Sequence, residues 1–135
     1  MAGTLVGEVG AGACVFVAVG RDDDEADADT LADKVVGLRV FEDEAGRMNL
    51  SLLETGGAIL SISQFTLHGD VRRGKRPSFT QAMEPERANR LFERFCDRCR
   101  RLGVPVQTGQ FRAHMVVELA NDGPVTILLD TKKQF

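Results

Sequence analysis

Several short stretches of this 135-residue sequence carry side chains that can do chemistry. One is "CDRC", Cys96 to Cys99. A Cys-x-x-Cys pair can exchange electrons or supply half of a zinc site. Redox cysteines sit at helix N-termini, where the dipole lowers the thiol pKa. These two fall late in an apolar-striped segment, with no second Cys-x-x-Cys and with both histidines far away in sequence. Cys99 continues the stripe, so packing is the favoured reading. A second stretch is "SQFTLHGD", residues 63–70. Ser63, Thr66, His68 and Asp70 are the ingredients of a nucleophile triad. In an extended strand, however, alternate residues share a face. Gln64, Thr66, His68 and Asp70 then line up side by side, and Ser63 lies opposite. A triad needs convergent members, with the base oriented by a third group. Two readings survive the geometric test: a polar strand end, or a site edge where Gln64, Thr66 and exposed amides orient a substrate.

"RRGKRP" places Arg72, Arg73, Lys75 and Arg76 around one glycine. A solvated loop is the plain reading. Phosphate contact is the functional one, since Arg forks and Lys ammonium both suit phosphate. His114 is a lone strand histidine on the face of Val116, more in keeping with a structural role than with a ligand. The acid run "DDDEADAD" lacks the glycine and terminal bidentate Glu of a calcium loop. It suits a helix start, where carboxylates favour the dipole. No metal and no cofactor is expected. Last comes "NDGPVTILLDT", in which Gly123 and Pro124 stand at the mouth of a strand run. Gly tolerates positive φ, and Pro lacks an amide hydrogen and can take a cis bond. The pair is either a turn or a backbone shaped for a task.

The elements that position these residues can be read from pattern. Residues 4–9 and 13–19 are β-rich and joined by "GAG", which predicts a hairpin. A helix over Glu25–Gly37 is predicted from Leu31, Val35, Val36 and Leu38. "LRVFED" predicts a short strand, and "EAGRMNLSLLETGG" a loop with one short extended piece. Residues 58–67 read as a strand, and "HGDVRRGKRPSF" as a charged loop. A helix over residues 85–102 has Pro85 in its first turn and Gly103 as its stop. Its stripe is Ala88, Leu91, Phe92, Phe95, Cys99 and Leu102. "VPVQTG", "FRAHMVVELA" and "VTILLDT" are three further strand candidates. This order predicts an α+β domain over residues 1–135, a curved antiparallel or mixed sheet or open β-barrel with two helices.

Hydrophobic residues make up 43% and charged residues 27%, a globular mix long enough for one core. The formal net charge of −3 argues against whole-surface attraction to nucleic acid. Contact with a polyanion must come from a local patch. No stretch approaches membrane-spanning length. The opening "MAGTLVGEVG" lacks a signal-peptide pattern. Three cysteines without a framework spacing suit a reducing cytoplasm.

Taken together, "SQFTL", the adjoining "GD", "KRPSF" and "NDGPVT" resemble the D-aminoacyl-tRNA deacylases of the D-Tyr-tRNA(Tyr) deacylase type. "ADKVVGLRVFEDEAGRMNLSL" and "TGQFRAHMVVELANDGPVTILLDT" are similar to the same family, in collinear order over nearly the whole chain. Members open with an additional strand containing Gln-Arg-Val, which this sequence lacks. They also usually have Tyr where His68 stands. The resemblance implies a cytoplasmic homodimer that hydrolyses the ester of a tRNA mischarged with a D-amino acid or with glycine. It implies a site at the dimer interface, where the Ser63, Gln64, Phe65, Thr66 strand of one subunit faces the Gly123–Pro124 loop of the other. Asn121, Val125 and Thr126 belong to that loop motif, and Phe79 and Met115 fall near the pocket. By the same resemblance, a cis Gly-Pro sets two carbonyl oxygens in parallel as a wall that rejects L side chains and lets glycine pass. Thr66 is a candidate nucleophile, although amides near residues 64–66 as an oxyanion hole and a water helped by the ribose 2′-hydroxyl need no side-chain nucleophile. Two rivals come from the residues alone. One is a non-catalytic RNA-binding module using Arg72, Arg73, Lys75 and Arg76. The other is a thiol oxidoreductase using Cys96 and Cys99.

Overall fold

A computed structural model describes residues 4–134. Its centre is a parallel sheet of three strands, β1 (Gly12–Val17), β4 (Ala58–Ser63) and β5 (Val106–Thr108), in the order β1-β4-β5. Gly12 pairs with Ala58 and Val17 with Ser63, while Ile59 pairs with Val106 and Ser61 with Thr108. Parallel neighbours need crossover connections. These are supplied by α1 (Glu25–Gly37) between β1 and β4, and by α3 (Pro85–Arg101) between β4 and β5. The central strand buries both faces, as covered parallel strands do. Ile59 and Ser61 turn one way and Ile62 the other, and all three are buried. Ser61 is satisfied by Cys96, whose Sγ donates to its Oγ at 3.5 Å.

Within the first crossover, after α1, lie an antiparallel pair, β2 (Phe41–Glu42) and β3 (Met48–Leu50), and a one-turn helix, α2 (Leu52–Thr55). The core is Val17, Ala32, Val35, Val36, Leu52, Ile59, Phe92, Phe95, Cys96, Cys99, Val104 and Val106, with Phe95 only 1% exposed. The helices α1 and α3 also pair their flanks. Arg94 forks onto Asp29 at 2.9 and 3.0 Å, and Arg98 onto Asp33. The acid run begins α1 as expected: Asp24 accepts from the Asp27 amide while Asp27 accepts from the Asp24 amide, a reciprocal capping box.

The α+β class and the two long helices agree with the sequence reading, and the sheets are open. Four local expectations need correction. Residues 4–9 do not form a hairpin with β1. They pass the outer side of β5, where Gly7 lies against the Thr108 carbonyl. The second glycine of "GAG" serves close approach instead of reversal. A Cβ on Gly12, whose φ is +155°, would stand 1.8 Å from the Ala58 carbonyl oxygen. The predicted strand over residues 58–67 ends at Ser63, where β1 ends too. One last amide bond, from Gln64 to Val17 O at 2.7 Å, closes it. Without a neighbouring strand the chain tightens into a 3-10 turn at Phe65–His68. "FRAHMVVELA" and "VTILLDT" join no ladder among the described residues. Residues 111–117 still alternate, with Phe111, Ala113, Met115 and Val117 half-buried and Arg112, His114 and Val116 exposed. A period of two reports a half-buried extended chain and says nothing about a hydrogen-bonding partner.

Candidate active site

The stretch from Ser63 to Phe79 is built outward from the central strand. Beyond Ser63 the chain coils. The Leu67 amide donates to Gln64 O at 3.2 Å and the Gly69 amide to Thr66 O at 2.9 Å. The amides of Phe65 and Thr66 lead the turn, where 3-10 geometry supplies no acceptor within it. Gln64 Nε2 donates to Thr66 Oγ1. The alternate-face picture of Gln64, Thr66, His68 and Asp70 therefore fails, because these residues are not on a strand.

No triad forms in its place among the described residues. Ser63 turns into a small cavity lined by Phe92, Gly109, Gln110, Phe111 and Met115. His68 lies against Gly20, whose Cβ, if it had one, would stand 3.4 Å from His68 Cε1. Asp70 is occupied by Arg72, whose Nε and Nη2 reach its two oxygens at 2.9 and 2.7 Å and whose amide adds a third bond. That guanidinium holds the Asp70 carboxyl well below the usual carboxylate range.

Phe65 is 58% exposed, and its ring meets Phe79 edge to face at a centroid distance of 5.0 Å. The returning limb of the loop is fixed by paired amide bonds between Asp70 and Ser78, at 2.8 and 2.9 Å. Gly69 lets it close, since a Cβ there would press on the Phe79 ring at 3.1 Å. Arg72 has a carboxylate partner. Arg73, Lys75 and Arg76 are exposed and form no ion pair among the described residues.

The second half of the expected site is the loop over residues 121–126. The Gly123–Pro124 bond is cis, with Gly123 at φ +146°. Asn121 grips the residues beyond the proline: its Oδ1 accepts from the Val125 amide at 3.2 Å, and its Nδ2 donates to Thr126 Oγ1 at 3.1 Å. The whole loop is exposed. The structure thus joins Ser63 with Met115, Phe65 with Phe79, and Asn121 with Val125 and Thr126. Among the described residues of one chain, no hydrogen bond or ring contact links residues 121–126 to residues 63–66. Sequence reading missed the Asp70–Arg72 fork and the double grip of Asn121. Both were signalled by Asp or Asn placed two to five residues before its partner in a turn.

The cysteines fit packing. Cys96 and Cys99 are buried on α3, and burial pushes both thiols up, Cys99 to about 12. Both sulfurs are shut inside the core, away from any exchange partner, which favours packing over the oxidoreductase reading. Among the described residues no helix is long and apolar enough to cross a membrane.

Known proteins resemble this chain over nearly its whole length. The family described as D-Tyr-tRNA(Tyr) deacylase matches residues 1–130. The D-aminoacyl-tRNA deacylase of Symbiobacterium thermophilum is 60% identical over 133 residues, covering 98% of this chain and 88% of that protein. The Clostridioides difficile protein of the same name is 53% identical over 130 residues, covering 96% of this chain and 87% of its own length. A solved structure of c-Myc DNA unwinding element binding protein superposes with a TM-score of 0.86 at 36% identity, over 91% of this chain and 84% of that one. A second, of a probable eukaryotic D-amino acid tRNA deacylase, shares the fold with a TM-score of 0.60 at 18% identity, over 75% and 74% of the two chains. With a family match over residues 1–130 and relatives more than half identical, the chain belongs to the D-Tyr-tRNA(Tyr) deacylase family.

Proposed function

We propose that this protein hydrolyses the ester bond of D-aminoacyl-tRNA, and of glycine misattached to tRNA, releasing the free amino acid and tRNA. The observation that carries the reading is 60% identity, over 98% of the chain, to a protein named D-aminoacyl-tRNA deacylase. The working form is a cytoplasmic homodimer. Ser63, Gln64, Phe65 and Thr66 of one subunit face Asn121, Gly123, Pro124, Val125 and Thr126 of the other. The lack of any link between the two groups among the described residues of one chain supports completion by a second copy.

An aminoacyl ester is already activated, so the protein's main task is to stabilise the tetrahedral oxyanion and place a water. The leading amides of Phe65 and Thr66 suit the first part. Among the described residues Thr66 has no base in hydrogen-bonding reach: its bonded side-chain partner is Gln64 Nε2, a donor. Without a group to take its proton it is a poor nucleophile, and we assign it to substrate orientation. The attacking water is activated by the neighbouring ribose 2′-hydroxyl. Phe65 and Phe79 offer an aromatic edge beside the ester, and Met115 packs behind Ser63. Arg73, Lys75 and Arg76 are free to meet tRNA phosphates, with Arg72 shaping their loop through Asp70. The backbone at Gly123–Pro124 is the wall that excludes L side chains while ignoring what a D side chain is.

The deciding measurement is release of tyrosine from D-Tyr-tRNA and L-Tyr-tRNA under identical conditions. The expected result is turnover of the D ester with the L ester intact. Equal rates for the two would remove the chiral wall, and salt-sensitive tRNA binding without turnover would leave only an RNA-binding module.

A further inference from the structure

The corner at the start of α1 fastens the C-terminal segment to the body of its own subunit through side chains that neither sequence motif includes. Lys132 Nζ lies 2.9 Å from Asp27 Oδ2 and 3.7 Å from Asp23 Oδ1. Asp27 is not a free surface acid. It accepts from the Asp24 amide in the helix cap as well as from the Lys132 ammonium. Asp23 in turn accepts from the Gly20 amide at 2.7 Å through its other oxygen. Gly20 lies beside His68, the last residue of the 3-10 turn: a Cβ on Gly20 would stand 3.4 Å from the His68 Cε1. It also pairs with Ala82, flanked by bonds from Arg21 N to Gln81 O and from Met83 N to Val19 O, on the limb that carries Phe79. One polar cluster therefore reaches the turn, the aromatic limb and the C-terminal segment.

We infer that Lys132, held by Asp23 and Asp27, is a positioning residue that sets the direction of the Gly123–Pro124 loop relative to the body of its own subunit, and so its aim at the site completed by a second copy. The mechanical reason lies in the anchors of the C-terminal segment. Its apolar anchor is Leu129, partly buried against the core. A single anchor is a pivot. Five extended residues lead from Leu129 back to Pro124, a lever of about 17 Å at ~3.3 Å per residue. A pivot of about 5° over that length moves the far end by about 1.5 Å, and misplacement on the order of 1 Å at a reacting centre can cost ~100-fold in rate. Lys132, three residues past the pivot, supplies the second point that fixes the direction. Lysine ammonium and two carboxylates make a tether that salt weakens but that keeps its geometry without any strand ladder. The inference rests on the proposed deacylase reading for its catalytic consequence, though not for its mechanical one.

The test compares Lys132→Met, Lys132→Arg and, as an ion pair elsewhere on α1 and α3, Arg98→Met. Backbone 15N relaxation at Val125 and Thr126 is measured beside kcat and KM for D-Tyr-tRNA. Lys132→Met is expected to lower the order parameters at both residues and to reduce kcat about tenfold, with KM within twofold and the thermal midpoint nearly unchanged. Lys132→Arg restores both readouts, and Arg98→Met changes neither. Unchanged order at Val125 and Thr126 in Lys132→Met overturns the inference, as does an equal loosening in Arg98→Met. If the wild-type protein shows no turnover while Lys132→Met still loosens Val125, the deacylase reading fails and the tether stands.

Discussion

The turn at Phe65–His68 and the loop over residues 121–126 carry the two halves of the proposed site, and they are held by opposite means. The turn grows out of the buried central strand. Its first bond, from Gln64 N to Val17 O, is still part of the sheet, and backbone bonds at Leu67, Gly69, Asp70 and Ser78 continue the chain of support. The loop has no ladder among the described residues. Its shape depends on one amide side chain, Asn121, and on distant anchors at Leu129 and Lys132. Backbone support is cooperative with the core, so the turn is lost only when the fold is lost. Side-chain support is local, so the loop can fail alone. A site divided in this way has one half that reports on stability and another that reports on function.

The largest effect is expected at the far end of the strand pair from which the first half grows. Gly12→Ala places a Cβ onto the Ala58 carbonyl at the β1–β4 seam, a contact relieved only by opening the sheet. It should cost about 3 kcal/mol or more in urea unfolding. Gly46→Ala, at φ +77° with open space around it, should cost only about 1 kcal/mol. Equal costs for the two would mean that the β1–β4 seam yields, and the turn would then have no rigid base.

The second expectation separates the halves. Asn121→Ala removes both bonds that shape the loop but leaves every sheet bond in place. Activity on D-Tyr-tRNA should fall about 10- to 100-fold, by the same positional sensitivity. The unfolding midpoint should hardly move, because the loop is exposed. Loss of stability in parallel with activity would contradict the division between the two regions. Steady-state kinetics and thermal melts on one preparation decide it.

Legibility in the sequence divides along the same line. The helices were readable because their stripes and caps are local: Leu31, Val35 and Val36 face one core, and Asp24 closes its own helix. The central strand was readable as an apolar run. Its end at Ser63 was not, because that end is set by where β1 stops, at Val17, a fact about a segment distant in the chain. The apposition of Gly12 and Ala58 was likewise hidden, since a glycine that permits close approach looks the same in sequence as one that permits a turn. In the site, "SQFTL" and "NDGPVT" could be picked out as motifs. The grip of Lys132 on Asp27 spans 105 residues and carries no local pattern.

The smallest effect concerns the basic loop and is read through pH. Asp70 has its pKa lowered, chiefly by hydrogen bonds from the Arg72 side chain and then by that residue's amide. An unfolded Asp titrates near ~3.9. Because the folded value is lower, the pair's contribution is complete above about pH 4 and is lost only as pH falls through the folded value, in stronger acid. The Arg72 side chain is 85% exposed, so solvent screens the pair and its weight in global stability is slight. Its consequence is the shape of the loop, because the same carboxylate accepts the Arg72 amide and its residue pairs with Ser78. The Asp70 carboxyl carbon, tracked by NMR, should therefore titrate well below the other exposed aspartates, and Arg72→Met should return it toward the ordinary range with little change in the melting midpoint. An ordinary titration of Asp70 in the wild-type protein would mean that the fork does not form in solution. Arg72 would then be as free as Arg73, Lys75 and Arg76, and the limb carrying Phe79 would rest on the Asp70–Ser78 backbone pair and on the bonds that join residues 80–83 to Val19 and Arg21.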